Sequence, residues 1–405
     1  MAIADHIFQM DNPIQTYAWG SRTAIAELMG QKSPSAQPQA EIWMGAHPKA
    51  PSKVWCEERW QPLDQLISQY PVEMLGAKVA HRFDSTLPYL FKVLAIGQPL
   101  SIQAHPDKKQ AIEGFRRENL ENIDLDAPNR NYKDQHHKPE CICALTPFWG
   151  ACGFRTLPEM IALLGPVWPL PYNHVLTTLS RSFNPKGLRL LFQQLMHMKD
   201  KERKEMVALL VENALKLKEN NIAYDWIVRL NDRYPGDVGV LSPLLLNLIQ
   251  LDPGEAIFLP SKQLHVYLDG LGIELMANSD NVLRGGLTPK YVDVDELMAI
   301  LDFNPQRPDK LAYRVEGGAE KSFHSPAEEF ALCELSTTDS APCQSGNRRK
   351  GAEIVLCVEG SAVIKKLTSK DEIIIEQGRS VFVPACVTGY SIQGNARLFK
   401  ASVNV

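Results

Sequence analysis

The sequence predicts a mainly β protein: two antiparallel jelly-roll barrels, with an α-helical domain inserted into the first. Three observations carry this. Short segments with apolar–polar alternation, punctuated by Gly and Pro, fill residues 1–150 and return from about residue 254 to the end. Between them the spacing of apolar residues turns helical. One strand unit also occurs twice, 124 residues apart.

That unit is "GEAIFLPSKQLHVY" (254–267), repeated as "GRSVFVPACVTGYS" (378–391). Gly254 pairs with Gly378 and Pro260 with Pro384, around an apolar triplet. A Gly-strand-Pro unit is typical of jelly-roll barrels of the cupin type. His265 in the first copy aligns with Gly389 in the second. If the first copy holds a metal, the second lacks that ligand and is structural or regulatory.

In chain order, "PYLFKVLAI", "LSIQAH" and "ECICALTPF" read as strands in a first part made mostly of strand and loop. "DKKQAIEGFRREN" reads as a short helix capped by Asp107. After about residue 155, "TLPEMIALLGP", "GLRLLFQQLMHM" and "DKERKEMVALLVENALKLKEN" are helical. In the last, Met206, Leu210, Ala214 and Leu217 line one side and Asp200 is the expected N-cap. "YPGDVGVLSPLLLNLIQL" predicts a further helix to about residue 250, and "DVDELMAILDF" a helix inside the later strands. The expected domains are a catalytic barrel from 1–152 and 245–310, a helical insertion at 153–244, and a C-terminal barrel without metal ligands at 311–405.

Composition narrows the function class. Hydrophobic residues make up 44%, charged residues 22%, and the net charge is −4 without a basic tract, which argues against nucleic-acid binding. The N-terminus has no basic start followed by an apolar core, so no leader peptide is expected, and no apolar run is long enough to span a bilayer. The eight cysteines have no framework spacing, so reduced thiols in a cytoplasm are expected. Cys141 and Cys143 form a C-x-C pair, read as two small residues on one strand face rather than a soft-metal site.

"LSIQAHPDK" (100–108) places Ser101, Gln103 and His105 on the face opposite Leu100, Ile102 and Ala104. Glu140 opens a second strand after Pro139, and His265 opens a third. Inward-facing residues of different strands converge inside a barrel. Two imidazoles, one carboxylate and one amide oxygen form a borderline donor set that suits Zn²⁺. A second cluster, residues 272–297, holds Glu274, Asn278, Ser279, Asp280, Asn281 and Arg284. It reads either as a solvated loop leading to a helix or as a substrate-facing loop with Arg284 and Lys290 open to an anion. Lys92, inside an apolar strand, either snorkels to its end or faces the same barrel mouth.

"YAWG", "SIQAHPDK", "YKDQHHKPE" and "GIELMANSDNVLRGGLTPKYVDVDEL", in that order, resemble the type I mannose-6-phosphate isomerases. This zinc-dependent cupin family interconverts mannose 6-phosphate and fructose 6-phosphate, and the resemblance extends over essentially the whole chain. It implies zinc ligands at Gln103, His105, Glu140 and His265, an essential arginine at Arg284, and pocket residues at Trp19, Lys92, Ser101, Lys138, Tyr267, Glu274, Asp280 and Lys290. The family pattern has Asn before His-Lys-Pro-Glu, where this chain has His136, read as filling space.

The chemistry so implied moves a proton between C2 and C1 of an open-chain hexose 6-phosphate. It needs a polarised carbonyl, a base over the carbon and a fixed phosphate. The expected roles are one zinc on Gln103, His105, Glu140 and His265; Arg284 on the enediolate; Glu274 or Lys138 as base; Asp280 or His137 assisting the proton; and Ser101, Lys92 and Lys290 at the phosphate. A monomer in the cytoplasm, acting in mannose metabolism toward GDP-mannose, completes the expectation. The alternatives are a cupin that binds sugar phosphate without turnover and a metal-dependent cupin oxygenase.

Overall fold

The computed structural model describes residues 6–316, 319–345, 351–369 and 372–404; the first five residues of the N-terminal stretch read above lie outside these. Its strands form two large antiparallel sheets. One runs Leu246–Leu251, Phe148–Phe154, His265–Ala277, Tyr89–Ile96, Glu41–Met44, Ile14–Gln15, with Ile102–Ala104, Glu140–Ala144, Ala256–Leu259 and Leu283–Gly286 joined at its side. The other is built on Ala331–Thr337, Ala396–Ser402, Glu353–Lys366 and Ser380–Val383. It is extended by Phe8–Asp11, which pairs with Ser380–Val383, and by the hairpin Lys53–Cys56/Arg59–Pro62, so the N-terminal segment is shared between the two sheets. Among the described residues no helix is long and apolar enough to cross a membrane.

The helices run from Leu157–Leu164 to Ser242–Leu245, between two strands that are themselves neighbours: Phe154 lies opposite Leu246. The insertion therefore leaves and re-enters the sheet at one place, with a local register shift between Leu246 and Asn247. Its apolar faces share a core with Ala151, Val266 and Leu283 of that sheet. Met206, Leu210 and Ala214 are buried as expected, with Val207 beside them, and Leu217 packs at the margin.

Several local expectations change. Asp200 is the first residue of its helix, with Lys199 at the cap position; its carboxylate takes Arg203, and an acid in the first turn suits the helix dipole. The expected helix to residue 250 stops at Leu245, after a 3-10 turn at Val238–Leu241 and a short helix at Ser242–Leu245, and Leu246–Leu251 is a strand, because an apolar run of this length follows whichever partner it meets. Leu63–Gln69, Pro71–Leu75 and Ala77–Arg82 are helices too short to show a period. Asp107 does cap its helix, in a reciprocal box with Gln110, and Asp293 caps Val294–Ile300.

The repeat is structural. Gly254 (φ +85°) and Gly378 (φ +79°) both adopt the left-handed conformation that glycine tolerates, and each leads into a strand ended by proline. Register extends the equivalence. Leu259 lies opposite Glu140, and its repeat partner Val383 lies opposite Glu353. On the next strand Glu274 faces Ile142, as Lys400 faces Val355. Lys92 faces Glu274 as Cys333 faces Lys400, and Glu41 faces Leu94 as Glu320 faces Leu335. The second barrel thus keeps acids at the places of Glu41 and Glu140 but carries an ammonium, Lys400, at the place of Glu274. Lys400 Nζ lies 2.9 Å from Glu320, and Glu353 accepts the Tyr390 hydroxyl at 2.8 Å.

Candidate metal centre and substrate pocket

Alternation on two neighbouring strands builds the interior of the first barrel. Lys92, Leu94 and Ile96 share one face, as do Glu140, Ile142 and Ala144, so each strand presents one charged residue and then two apolar ones. The apolar members pack with Phe148, Leu259 and Tyr267 into a closed floor. The charged members gather at the other end. The strand His265–Ala277 contributes at both levels, although Tyr267 and Glu274 are an odd number of residues apart and a regular strand would face them oppositely. The register slips between Tyr267 and Asp269, and Gly270 has φ +119°; this bulge brings both side chains to the inside.

His105, Glu140 and His265 meet at the polar end. The His105 Nε2 atom is 3.2 Å from Glu140 Oε1, and His265 Nε2 is 3.3 Å from Oε2. All three side chains are 1% exposed, and their facing atoms lie within 4.8 Å of one another. Behind the rings, His105 Nδ1 donates to the Asn281 carbonyl at 2.7 Å and His265 Nδ1 to the Gln263 carbonyl at 3.1 Å. A carbonyl only accepts, so the proton of each neutral ring sits on Nδ1 and the lone pair on Nε2. Burial holds the His105 ring neutral, with its pKa lowered to about 4. Burial works against ionised Glu140, but Lys138, 3.0 Å away, and His105 outweigh it and pull its pKa well down. Both Nε2 atoms and Glu140 Oε2 are buried without a hydrogen-bond partner among the described residues. Unpartnered buried donor atoms converging in this way, in an N/O set, fit a divalent zinc ion. Gln103 lies directly opposite His265 on one side and Arg284 on the other, which puts all three on one face of the sheet.

Beside this centre three carboxylates share two ammonium groups. Lys92 Nζ is 3.1 Å from Glu274 and 3.4 Å from Glu41, and Lys138 rests on Glu140. Burial opposes the charge of Lys92, but Glu41 and Glu274 outweigh it and keep it an ammonium. Burial raises the Glu274 carboxyl above its ordinary range, with Lys92 opposing. Lys92 was expected at the phosphate; its ammonium is engaged by two carboxylates, Glu41 and Glu274. Arg284 makes no ion pair among the described residues. Burial lowers its pKa, and burial, Arg284 and Lys133 together lower that of Lys290, so three cations stand near one another.

The remaining expected residues fall as follows. Ser101 is half-buried on the Gln103 face. Trp19 packs on the apolar floor and lies 5.9 Å from the Tyr17 ring. Tyr267 is buried, its hydroxyl lacks a partner among the described residues, and burial pushes its pKa well up. Asp280 was expected to assist a proton. It is instead anchored by Lys49 at 2.7 Å and His47 at 3.5 Å; burial opposes its charge, but these two hold it well below the usual carboxylate range. His137 turns to Glu329, 2.6 Å from its Nε2. His136 does not fill space: it is exposed, 3.1 Å from Lys108 Nζ. Cys141 and Cys143 are buried free thiols in an apolar core.

Sequence reasoning missed Glu41, Lys133 and Glu329, and left open what Asn281 does. "EIWM" around Glu41 is buried throughout and shows no alternation. The "ANSDN" loop is far from solvated: Asn281 is fully buried, accepts the backbone N–H groups of Lys133 and Asp134, and donates to the carbonyls of Asp134 and His136.

The family model of the type I phosphomannose isomerase catalytic domain matches residues 7–157, that of its helical insertion domain residues 173–246, and that of the mannose-6-phosphate isomerase cupin domain residues 319–403. A mannose-6-phosphate isomerase of Salmonella typhimurium is 41% identical over 389 residues, covering 96% of this chain and 97% of its own. That of Homo sapiens is 33% identical over 416 residues, covering 94% of each. A solved zinc-bound mannose 6-phosphate isomerase superposes with a TM-score of 0.91 at 39% identity, covering 98% of this chain and 100% of that one. On matches that span nearly its whole length, joined to the converging His105, Glu140 and His265, the chain belongs to the type I phosphomannose isomerase family.

Proposed function

We infer that the protein is a zinc-dependent aldose–ketose isomerase that interconverts mannose 6-phosphate and fructose 6-phosphate through an enediol. The observation that carries this is the set of unpartnered donors on His105, Glu140 and His265, with Gln103 linking them in register to an arginine that has no carboxylate of its own.

His105, Glu140, His265 and Gln103 would hold the zinc. Bound there, it supplies Lewis acidity for the oxygens on C1 and C2 of the sugar. Lys138 keeps Glu140 ionised and oriented. Glu274 is the favoured base for the C2 proton: its carboxyl is lifted toward neutrality by burial, and Lys92 fixes it from across the strand pair. Glu274 then returns the proton to C1. Arg284 and Lys290, with Ser101, offer charge and hydrogen bonds to the phosphate, and Arg284 also steadies the developing enediolate. The closed floor of Leu94, Ile142 and Tyr267 keeps bulk water from below.

The cytoplasm is the proposed compartment, supported by eight free cysteines, and a place ahead of GDP-mannose synthesis follows from the substrate. The test is metal analysis of purified protein with a coupled assay on mannose 6-phosphate, before and after chelation. We expect about one zinc per chain and turnover that chelation abolishes and zinc restores. Sugar-phosphate binding without turnover, or iron with oxygen consumption, would replace this reading.

A further inference from the structure

We propose that Glu329, from the C-terminal half of the chain, is a positioning residue for the isomerisation: it fixes His137 in the tautomer that leaves Nδ1 free to carry a proton between the sugar's O2 and O1. This rests on the isomerase reading above.

The geometry is that of a carboxylate–imidazole pair. Glu329 Oε1 lies 2.6 Å from His137 Nε2, across 192 residues of sequence. Burial opposes the Glu329 charge, but the hydrogen bond from His137, helped by Lys108, outweighs it and lowers the carboxyl pKa. An ionised carboxylate only accepts, so Nε2 carries the proton, and in the neutral ring Nδ1 is then the acceptor. His137 makes no other side-chain hydrogen bond among the described residues.

Both partners stand on rigid supports. Glu329 precedes Phe330, which is fully buried in the core. Asn404 ties down the segment before it, donating from Nδ2 to the carbonyls of Ser325 and Ala327 and from its backbone to Glu328. The other Glu329 oxygen is buried without a hydrogen-bond partner among the described residues. On the His137 side, Asn281 clamps the chain at Lys133, Asp134 and His136. The next residue, Lys138, rests on Glu140. The backbone that carries His137 therefore borders the metal centre, and a third of its side chain is exposed. The titratable neighbours on the outer side are His136 and Lys108, bonded to each other.

The step balances within the substrate. As the enediol forms, an N–H bond is made at Nδ1 while O2–H breaks; the proton is then given to O1, and the ring returns to its starting state. No further reactant is needed.

The test compares zinc-loaded Glu329→Met, Glu329→Gln, His137→Ala and the double variant His137→Ala/Glu329→Met. Glu329→Met removes the acceptor at similar volume, and Glu329→Gln keeps one oxygen acceptor. We expect kcat to fall about 10- to 100-fold in Glu329→Met, with KM and zinc content within about twofold, partial recovery in Glu329→Gln, and a double variant no slower than His137→Ala alone. Parental kcat in Glu329→Met, or losses that multiply in the double variant, overturns the proposal. If Glu329→Met does not fold, Glu329→Gln takes its place in the same cycle. A parent protein without isomerase activity would fail the functional reading itself, a distinct result.

Discussion

Gln103 stands opposite His265 on one neighbouring strand and opposite Arg284 on the other. One residue of a three-residue strand thereby joins the cluster of histidine and carboxylate donors to Arg284, at the spacing of paired strands, about 5 Å on each side. Coordination and substrate orientation cannot be altered independently across so short a bridge.

The donor set makes the first prediction. His105→Ala removes a ligand whose partner, the Asn281 carbonyl, then loses its N–H. Metal analysis should show zinc lost. The coupled assay should show kcat/KM reduced by roughly 10³-fold or more, since a Lewis acid supplies several kcal/mol in the transition state. Full activity in a zinc-free variant would remove zinc from the mechanism.

The cation cluster makes the second. Lys290→Met, at the exposed edge beside Arg284, should raise KM for mannose 6-phosphate about 10- to 100-fold with a smaller change in kcat, the worth of one charge-assisted hydrogen bond. Arg284→Lys should not rescue Arg284→Ala fully, because a point ammonium lacks the planar fork of a guanidinium. Equal KM for the parent and Lys290→Met would place the phosphate elsewhere.

The third concerns the second barrel. Lys400→Met leaves Glu320 and Glu353 without the ammonium they share, at 2.9 and 4.0 Å. Urea unfolding should show a loss of about 3–5 kcal/mol, as for other broken buried pairs. Zinc content and kcat should be unchanged in the folded fraction. A loss of zinc would mean that the second barrel shapes the first site directly.

The fourth is a pH dependence. Asp280 has its pKa lowered in the folded state by His47 and Lys49, against the effect of burial. A depressed carboxyl contributes stability above its unfolded pKa of about 3.9 and loses it as pH falls through the folded value. Asp280→Asn should therefore lower stability by about 1 kcal/mol at pH 7, the discount reflecting exposed Lys49. The gap between the parent and the variant should start to narrow only below about pH 4 and close as pH falls through the lower folded value. A difference that stays constant as pH falls from about 4 toward about 2 would assign the effect to packing.

Much of this was legible locally. Alternation around Gln103 and His105, the two Gly-strand-Pro units, and the Asp107 and Asp293 caps each depend on residues within a few positions. The zinc-ligand candidates were found through the family resemblance of their motifs, in which Gln103 lies within a strand, His105 follows it, and Glu140 and His265 each open one. Leu246–Leu251 was not, because the same apolar run satisfies a helix or a strand until Phe148–Phe154 lies beside it. Lys92 was placed at the phosphate because nothing near it in sequence announces Glu41 and Glu274. Glu329 was passed over for the same reason, 192 residues from His137.

The sequence by itself determined which face the strand around Gln103 presents and where the two Gly-strand-Pro turns need glycine, since these follow from backbone sterics and a period of two. Only the tertiary structure decided which acid meets which base: Lys92 with Glu274, Asp280 with Lys49, His137 with Glu329. Those pairings depend on cross-strand register, on the bulge after Tyr267 and on contacts between barrels. The charge state of a buried group is set by neighbours that only the folded chain brings within a few ångströms.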